Sequence, residues 1–541
     1  MKSSIVLHLT FIIVIAVILP SNTTCQAQST PGIVFSKLPE ITQYRIRDLT
    51  APPAPQDRYG CYSTPMYYLM TKGYTYDGSM DQEPSKRFYS HMRDKEGPNY
   101  GIWKLDRNRP DWQEVMIRNW AELGLNNTHL NIYCENNSLI LTDSYRKAIE
   151  DFVKLSVKHG LKVGVRLDAL GGYVAWEMNP DNPNNQIDDY LVWVRDIVNI
   201  LKGQTVYYVL GDEMTLHNND TKNIDATIDA DNPDDQIATR QASKLDPKKW
   251  TPEKYLQYFK RVSAAIKSVD SNATVSMFAA SSGEWFNILY LLKIGYAEYG
   301  DAVAINYYNY QGVPRFFDDA KKLAPNLKFL SNGVGYTSTA TAQPRFPQGD
   351  PYSKLPTEEG HGKVIAKNMF AWWDLGAATA PYYITLRNWI KDDKIYPRWF
   401  GFFGFEDYVI DKNDHMTVKR YPGWYAYQTI AHTFYNRHQF IKPEFEVTSS
   451  TNLTMFRAYQ HQLTNGSELL LMLWNDKGPT STTITIGSDR YHYPVQISTF
   501  NYNTWTDIVH NYNETGCSIT LNVDQDPLII RLVNLPTAKS N

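Results

Sequence analysis

Cysteine is scarce in this chain, and neither sign of charge is in large excess. The 541 residues include 4 Cys, and 54 basic against 57 acidic residues give a net charge of -3. This balance lacks the electrostatic footprint of a nucleic-acid-binding protein. No Cys-x-x-Cys pair or His/Cys cluster predicts a zinc site. No Gly-x-Gly-x-x-Gly follows the first predicted strand, so a dinucleotide fold has little support. The sequence therefore predicts no cofactor.

Long apolar runs are also absent, except at the start. Lys2 precedes an apolar run over residues 5–19, which Pro20 ends before the small-x-small site Cys25-Gln-Ala27. This order is typical of a secretory signal peptide. Residues 1–27 are therefore predicted to be a signal peptide of a secreted, extracellular protein with no membrane association after its removal. A lipid anchor on Cys25 is the alternative, although Asn22 stands where a lipobox prefers Leu.

Two further features agree with secretion. An oxidising compartment permits one disulfide among the three cysteines that remain after cleavage. Cys61 and Cys134 lie in or next to predicted neighbouring strands and are the expected pair, which leaves Cys517 as a thiol. Eight Asn-x-Ser/Thr sequences predict a glycoprotein. They begin at Asn22, Asn126, Asn136, Asn219, Asn272, Asn452, Asn465 and Asn513.

The central part of the chain alternates short apolar runs with amphipathic stretches. After a Pro-rich lead-in over residues 28–57, this pattern predicts an α/β domain over residues 58–440. Eight strands with intervening helices favour a (β/α)8 TIM barrel over an open doubly wound sheet. The predicted strands cover residues 60–70, 127–133, 162–167, 206–210, 274–279, 302–307, 328–330 and 380–386. The clearest predicted helices cover residues 110–123, 143–159, 251–269 and 361–375.

The pattern changes near the carboxyl terminus. Short strands with turn residues between them and no helix predict an all-β sandwich over residues 441–541. The predicted strands cover residues 469–474, 482–486, 495–502, 517–523 and 528–535. A structural brace on the barrel is the simplest role for this domain.

Two adjacent carboxylates follow the fourth predicted strand. Residues 206–210 are apolar and aromatic, Gly211 ends the run, and Asp212 and Glu213 come next. In a TIM barrel the active site lies at the carboxyl ends of the strands, so this pair is predicted to be the catalytic centre. Two neighbouring carboxylates in a closed cleft would raise the pKa of one of them, which suits a general acid. Successive residues of a strand point to opposite faces, however, so both carboxyls can enter one pocket only if the chain bends after Gly211.

The stretch Tyr207-Tyr-Val-Leu-Gly-Asp-Glu213 resembles the strand-four motif of retaining glycoside hydrolases of the large TIM-barrel clan, in which Gly-Asn-Glu carries the acid/base Glu. Three other stretches are similar to the same enzymes. Asp301-Ala-Val-Ala-Ile-Asn-Tyr-Tyr308 resembles strand six, and Ala380-Pro-Tyr-Tyr-Ile-Thr-Leu-Arg-Asn-Trp389 resembles an eighth strand ending in an aromatic platform. Tyr421-Pro-Gly-Trp-Tyr-Ala-Tyr-Gln428 resembles the helix between barrel and sandwich. The resemblance implies a glycosidase in carbohydrate metabolism acting on an oligo- or polysaccharide.

The sequence departs from that clan in strand seven. The nucleophilic Glu should end this strand, but the chain has Asn332 and Gly333 there. Retaining hydrolysis by two carboxyls needs both groups, so the ordinary mechanism is not supported. The adjacent Asp212 and Glu213 resemble the β-hexosaminidase motif Gly-Asp-Glu instead. That resemblance implies a substrate-assisted reaction in which Asp212 orients the 2-acetamido group and Glu213 is general acid and then base.

Two alternatives remain open. Glu213 could act with a more distant carboxyl (Asp168, Glu135 or Glu284) in an inverting reaction. The barrel could also have lost catalysis and become an extracellular glycan-binding or matrix protein.

The remaining candidates for substrate binding are polar and aromatic residues near predicted strand ends. The aromatic ones could stack on sugar rings or pack in the barrel core. Arg387 could bind an anionic sugar substituent or pair with a barrel carboxylate. The full set is Asp168, Asn306, Tyr307, Tyr308, Tyr383, Arg387 and Trp389.

Overall fold

A computed structural model gives the fold of the protein. It describes residues 110–132, 139–167, 178–211, 250–280, 285–307, 313–334, 358–380, 386–391, 394–397, 404–437, 439–464, 466–498, 500–513 and 516–534. All of the described residues belong to one compact unit. The predicted signal peptide, the lead-in, the first strand, Cys61 and Cys134 lie outside the described residues.

A six-stranded parallel sheet forms the centre of this unit, and its strand order follows the chain, β1-β2-β3-β4-β5-β6. An open doubly wound sheet reverses its strand order at a switch point, whereas a barrel adds each strand beside the previous one. The observed order therefore fits a TIM barrel, and predicted strands two to seven are confirmed. The strands are β1 Asn127–Ile132, β2 Lys162–Leu167, β3 Thr205–Leu210, β4 Val275–Ala280, β5 Ala302–Tyr307 and β6 Lys328–Val334.

Helices connect the strands, and their first turns show how the sequence begins them. The Thr251 hydroxyl accepts a hydrogen bond from the Lys254 amide at 3.3 Å, and Pro252 takes the first helical position. Thr142 caps its helix in the same way through the Tyr145 amide. The helices are α1 Pro110–Leu123, α2 Asp143–Lys158, α3 Ile187–Leu201, α4 Pro252–Val269, α5 Trp285–Lys293, α6 Val313–Leu323 and α7 Glu358–Leu375. The last begins three residues earlier than predicted.

The two faces of the parallel sheet differ in the size of their side chains. Large rings face the helices. The Phe278 ring meets the Tyr255 ring of α4 edge-on, with 5.0 Å between the ring centroids. The Phe329 ring stacks on the Phe317 ring of α6, with 4.1 Å between the centroids. The next residue of each strand points to the opposite face, because side chains alternate along a strand. That inner face carries a compact buried cluster of Tyr207, Val209, Ala279, Ala302, Ala304, Leu330 and Ala378.

The predicted eighth strand is described only at its two ends. Before it, the Ala378 amide donates to the Phe329 carbonyl at 2.8 Å, so the chain returns beside β6. Leu386 then begins β7 (Leu386–Lys391), which belongs to a separate mixed sheet. This sheet also contains β8 Lys394–Pro397, β9 Glu406–Ile410 and β10 Met416–Arg420. Nothing in the sequence had predicted it.

Helix α8 (Pro422–Ile430) continues into a π-helical turn over residues 431–435 and leads to the last part of the chain. A helix had been expected at this position from the stretch around Trp424, and it is confirmed.

Two antiparallel sheets follow, with the orders β11-β13-β14-β20-β16-β17 and β12-β15-β19-β18. Both contribute to one buried cluster, which includes Leu471 of β14 and Ile519 of β19. The single strand predicted over residues 495–502 is wrong: the chain turns between Ser498 and Asn501, which pair with each other. The strands are β11 Phe440–Ile441, β12 Val447–Ser449, β13 Met455–Leu463, β14 Gly466–Trp474, β15 Thr480–Ile486, β16 His492–Ser498, β17 Asn501–Asp507, β18 His510–Asn513, β19 Gly516–Val523 and β20 Leu528–Asn534.

Helix α7 joins the parallel sheet to these antiparallel sheets through buried charges. Lys367 donates to Asp476 at 2.7 Å, and both side chains are almost wholly inaccessible. Burial lowers the pKa of Lys367 although Asp476 acts in the opposite direction. Apolar contacts surround this ion pair, including the edge-on contact of Phe370 with Trp474. The helix thus packs tightly on the outer face of the larger antiparallel sheet.

Within the described part of the chain, no helix has the length and apolar character needed to cross a membrane. Cys517 is a free thiol on β19, and burial raises its pKa. The predicted bond between Cys61 and Cys134 stays a prediction.

Candidate active site

The carboxyl ends of the six parallel strands define one edge of the sheet. Because all six strands run in the same direction, the segments that follow them leave from this edge. Asp168 directly follows β2, and Tyr308 directly follows β5. Asp212 and Glu213 come after β3, separated from it by Gly211 alone. The chain order therefore assigns these predicted site residues to connections at one edge, although all four lie outside the described residues.

Gly211 follows β3 directly and has a positive φ. Its φ is +101°, a backbone conformation that residues with a Cβ rarely adopt. Up to Leu210 the strand alternates normally, with Val209 in the inner-face cluster. A continued strand would send successive carboxylates to opposite faces, but the extended conformation ends at Gly211. Gly211 thus departs from strand geometry at the residue directly before the predicted carboxylate pair.

A cross-strand row lies on the inner face below Gly211. His129, Gly164 and Tyr207 are direct neighbours on β1, β2 and β3. The Tyr207 hydroxyl lies 3.1 Å from His129 Nδ1, so its ring crosses the middle strand. Only glycine fits there, since a Cβ on Gly164 would lie 2.3 Å from Tyr207 Cζ. A tyrosine and a histidine thus form a buried polar contact four residues before Gly211.

Strand β6 carries a bulge near its carboxyl end. Ile305 pairs with Ser331, but the next residue, Asn306, pairs with Gly333. Asn332 is therefore an extra residue in the ladder. Bulges are common beside active sites, where they redirect the chain. The predicted strand over residues 328–330 thus continues to Val334, and its carboxyl end has no carboxylate residue in this stretch.

The other predicted site residues are divided between two sheets. Asn306 and Tyr307 end β5 at the carboxyl edge, as expected. Arg387 and Trp389 belong to β7 of the mixed sheet. For these four residues the structure describes the backbone but not the side chains, so their roles stay predictions. Tyr383 lies outside the described residues.

Tyr255 is a residue near the edge that the sequence did not single out. It lies on α4 and is fully buried. Its hydroxyl donates to the Leu210 carbonyl at 2.9 Å and accepts from the Phe278 amide at 2.8 Å. The sequence places Tyr255 on the buried face of an amphipathic helix, but helical periodicity alone does not reveal a bond to two strand ends.

The part of the chain that the structure describes contains no group of three or more His, Cys, Asp or Glu side chains that could hold a metal ion.

Solved structures similar to this chain are glycoside hydrolases. A glycoside hydrolase family 30 subfamily 8 xylanase from Clostridium acetobutylicum has 10% identity and a TM-score of 0.47, over 78% of this chain and 92% of that one. A GH39 β-xylosidase from Caulobacter crescentus has 11% identity and a TM-score of 0.44, over 90% and 98%. A glucosidase from Croceicoccus marinus has 11% identity and a TM-score of 0.44, over 78% and 92%.

The sequence matches no protein-family model and no curated protein. The fold assignment therefore rests on the strand order of the parallel sheet.

Proposed function

We propose that this protein is a secreted glycoside hydrolase in which Glu213 is the general acid/base and Asp212 assists it. The observation that carries the proposal is the backbone of Gly211. Its positive φ ends the extended conformation of β3 immediately before the two carboxylates. The carboxyl edge of a parallel barrel-type sheet is where such a pair can reach a substrate.

In the proposed reaction Glu213 donates a proton to the glycosidic oxygen as the bond to the anomeric carbon breaks. Asp212 accepts a hydrogen bond from the 2-acetamido N–H of the sugar and orients the amide oxygen for attack on the same carbon. Glu213 then removes a proton from the water that opens the cyclic intermediate. No carboxylate from β6 is needed, in agreement with Ser331-Asn-Gly333 in that strand.

An inverting reaction is the other catalytic route. Asp168 follows β2, which is the immediate neighbour of β3, and Glu284 follows β4 on the other side. A carboxylate in a neighbouring connection could activate a water at the wider spacing that inversion requires.

The bulge at Asn332 favours a second candidate function. A barrel whose strand seven has lost its nucleophile could bind glycans without cleaving them. In such an extracellular glycan-binding protein, Asp212 and Glu213 would accept hydrogen bonds from sugar hydroxyls.

The proposal also includes the larger architecture. We infer that the first and eighth strands close the parallel sheet into a (β/α)8 barrel over residues 58–440 and that the two antiparallel sheets form a sandwich over residues 441–541. The shared cluster between those sheets supports the sandwich. Secretion after removal of residues 1–27 is supported by exposure of the three glycosylation candidates whose side chains are described, Asn126, Asn272 and Asn452.

A substrate panel separates these functions. Purified protein is assayed on 4-nitrophenyl N-acetyl-β-hexosaminides and 4-nitrophenyl β-hexosides, and the anomer of the first product is identified by NMR. Turnover of the acetamido sugars alone, with retention and with loss in Asp212→Asn, supports the substrate-assisted reaction. Inversion supports the two-carboxyl route. Glycan binding without turnover, unaffected by Glu213→Gln, would show that the enzyme assignment is wrong.

A further inference from the structure

Tyrosine hydroxyls are inserted on both sides of β4. On the side of β3, the ladder begins normally, with the Tyr208 amide donating to the Thr274 carbonyl at 2.8 Å. In the register of the two strands, Tyr208 pairs with Val275 and Val209 pairs with Ser276. Its continuation would join the Phe278 amide directly to the Leu210 carbonyl. Instead, both groups bond to the Tyr255 hydroxyl.

The ladder resumes one step later, where the Ala279 amide donates to the Gly211 carbonyl at 3.2 Å. The inserted hydroxyl therefore separates β3 from β4 at one point, between the normal register at Tyr208 and the ladder bond of Gly211. Without it, the Leu210 carbonyl and the Phe278 amide could close the gap and bond to each other.

Tyr296 makes the equivalent insertion on the side of β5. Its hydroxyl accepts from the Met277 amide and donates to the Ala302 carbonyl, both at 2.7 Å. Met277 and Phe278 form a bulge opposite β5, since Ser276 pairs with Ala302 and Ala279 with Ala304. The two tyrosines thus make the same pair of bonds to adjacent residues of β4. They differ in their second strand: Tyr255 holds the last residue of β3, and Tyr296 holds the first residue of β5.

We propose that Tyr255 is a positioning residue for the catalytic pair, because its hydroxyl sets the place at which the chain leaves β3 for Asp212 and Glu213. This inference rests on the proposed function. Tyr255 does not touch the substrate: it acts through Leu210 and Gly211, the two residues before the pair. Tyr296 has no such role, since its hydroxyl joins Met277 of β4 to Ala302, which lies at the amino-terminal end of β5.

The bonding pattern of the hydroxyl is fixed over the whole working pH range. Burial raises the pKa of Tyr255 well above its ordinary value, and burial does the same for Tyr296. Both hydroxyls keep their protons, so each can donate to a carbonyl while accepting from an amide.

Tyr255→Phe and Tyr296→Phe form a matched pair for the test. Each removes one buried hydroxyl and the same two hydrogen bonds, so both should lower the melting temperature by similar amounts. A displacement of about 1 Å can reduce a rate about 100-fold. We therefore expect Tyr255→Phe to lower kcat on the best 4-nitrophenyl glycoside by about 10- to 100-fold, with KM changed by less than about threefold. Tyr296→Phe should stay within about twofold of the wild-type kcat.

Two further measurements separate positioning from general loss of structure. The pH profile of kcat should shift in Tyr255→Phe, because the environment of Glu213 changes, and should not shift in Tyr296→Phe. Placing 4-aminophenylalanine at position 255 restores a donor for the Leu210 carbonyl and should recover most of the lost kcat. Activity is measured well below the melting temperature of each variant.

The outcomes distinguish this inference from the proposed function. If Glu213→Gln abolishes turnover but Tyr255→Phe behaves like Tyr296→Phe in kcat and pH profile, Tyr255 is only structural and the inference is wrong. If the wild-type protein turns over none of the glycosides, the proposed function fails, and the positioning role fails with it. A selective loss of kcat in Tyr255→Phe with recovery by the amino analogue supports both.

Discussion

The carboxylate of Asp374 lies 3.0 Å from Arg457 Nε, and both side chains are about 97% buried or more. Asp374 is near the end of α7, and Arg457 belongs to β13, so the pair joins the helix layer of the parallel sheet to the larger antiparallel sheet. Trp373 reinforces the same contact by meeting Tyr459 edge-on at 4.8 Å. The two parts of the described unit therefore share a buried, charged contact.

Removal of one member of this pair should be costly. Asp374→Ala leaves the Arg457 charge buried without its partner, and we expect a loss of about 3–5 kcal/mol in the free energy of unfolding. Chemical denaturation measures the change. The double variant Asp374→Leu/Arg457→Met removes both charges and should recover much of the loss. A single-variant cost below about 1 kcal/mol would contradict the account.

Glu468 should make stability depend on pH. Burial raises the pKa of this carboxyl, but the His461 hydrogen bond and the charges of Arg437 and Arg531 outweigh it and lower the pKa to about 2. A carboxyl with a lowered pKa in the folded state stabilises the protein above its unfolded pKa. This contribution, about 3 kcal/mol, should be complete above about pH 5 and disappear as the pH falls toward about 2.

The test compares Glu468→Gln with the wild-type protein in denaturation experiments at several pH values. The difference in the free energy of unfolding should shrink as the pH falls below about 4.5, the ordinary value for glutamate. Glu298→Gln, which changes an exposed carboxyl, is the control. An equal difference in the free energy of unfolding between wild type and Glu468→Gln at every pH would contradict this account. It would show that His461, Arg437 and Arg531 do not lower the pKa of Glu468.

Gly211→Ala tests whether the positive φ of Gly211 positions the proposed catalytic pair. A left-handed conformation costs alanine about 1–2 kcal/mol in backbone strain. The chain of the variant can avoid this strain by leaving β3 in another direction. Gly203→Ala is a matched control, because Gly203 precedes the same strand with φ +78° and a Cβ there would meet nothing within 4 Å. Both variants should lose similar stability, but only Gly211→Ala should lose kcat. Equal kcat in the two variants would show that the backbone conformation of Gly211 does not affect catalysis.

Much of the fold could be predicted from the sequence because buried parallel strands are short apolar runs. The strand over residues 302–307 was predicted with its observed bounds, and Thr251-Pro252 marked the start of α4 correctly. β6 was predicted too short, since Ser331-Asn-Gly333 has the composition of a turn. The pairing of Asn306 with Gly333 extends the strand across a bulge, and such pairing depends on the neighbouring strand.

The mixed sheet was missed for a related reason. Glu406 and Asp407 on β9 are charged residues that the sequence suggests are exposed, yet both are buried. Asn119 and Trp120 of α1 donate to the Glu406 carboxylate at 2.7 and 3.2 Å, so partners almost three hundred residues away make its burial possible. The bonds of Tyr255 to two strand ends are equally non-local. At the candidate site, the sequence predicts the carboxylate pair and its need for a bend, and the structure adds the positive φ of Gly211 directly before the pair.

The most direct test of the central claim is the response of Glu213→Gln to the leaving group. A general acid contributes about 100- to 10,000-fold when the departing oxygen needs a proton, and much less when it does not. We expect Glu213→Gln to lower kcat/KM at least about 100-fold on phenyl glycosides but less than about tenfold on 2,4-dinitrophenyl glycosides, with Glu150→Gln on α2 unchanged on both. Equal loss on both glycosides, or none on either, would contradict the assignment of Glu213 as the general acid.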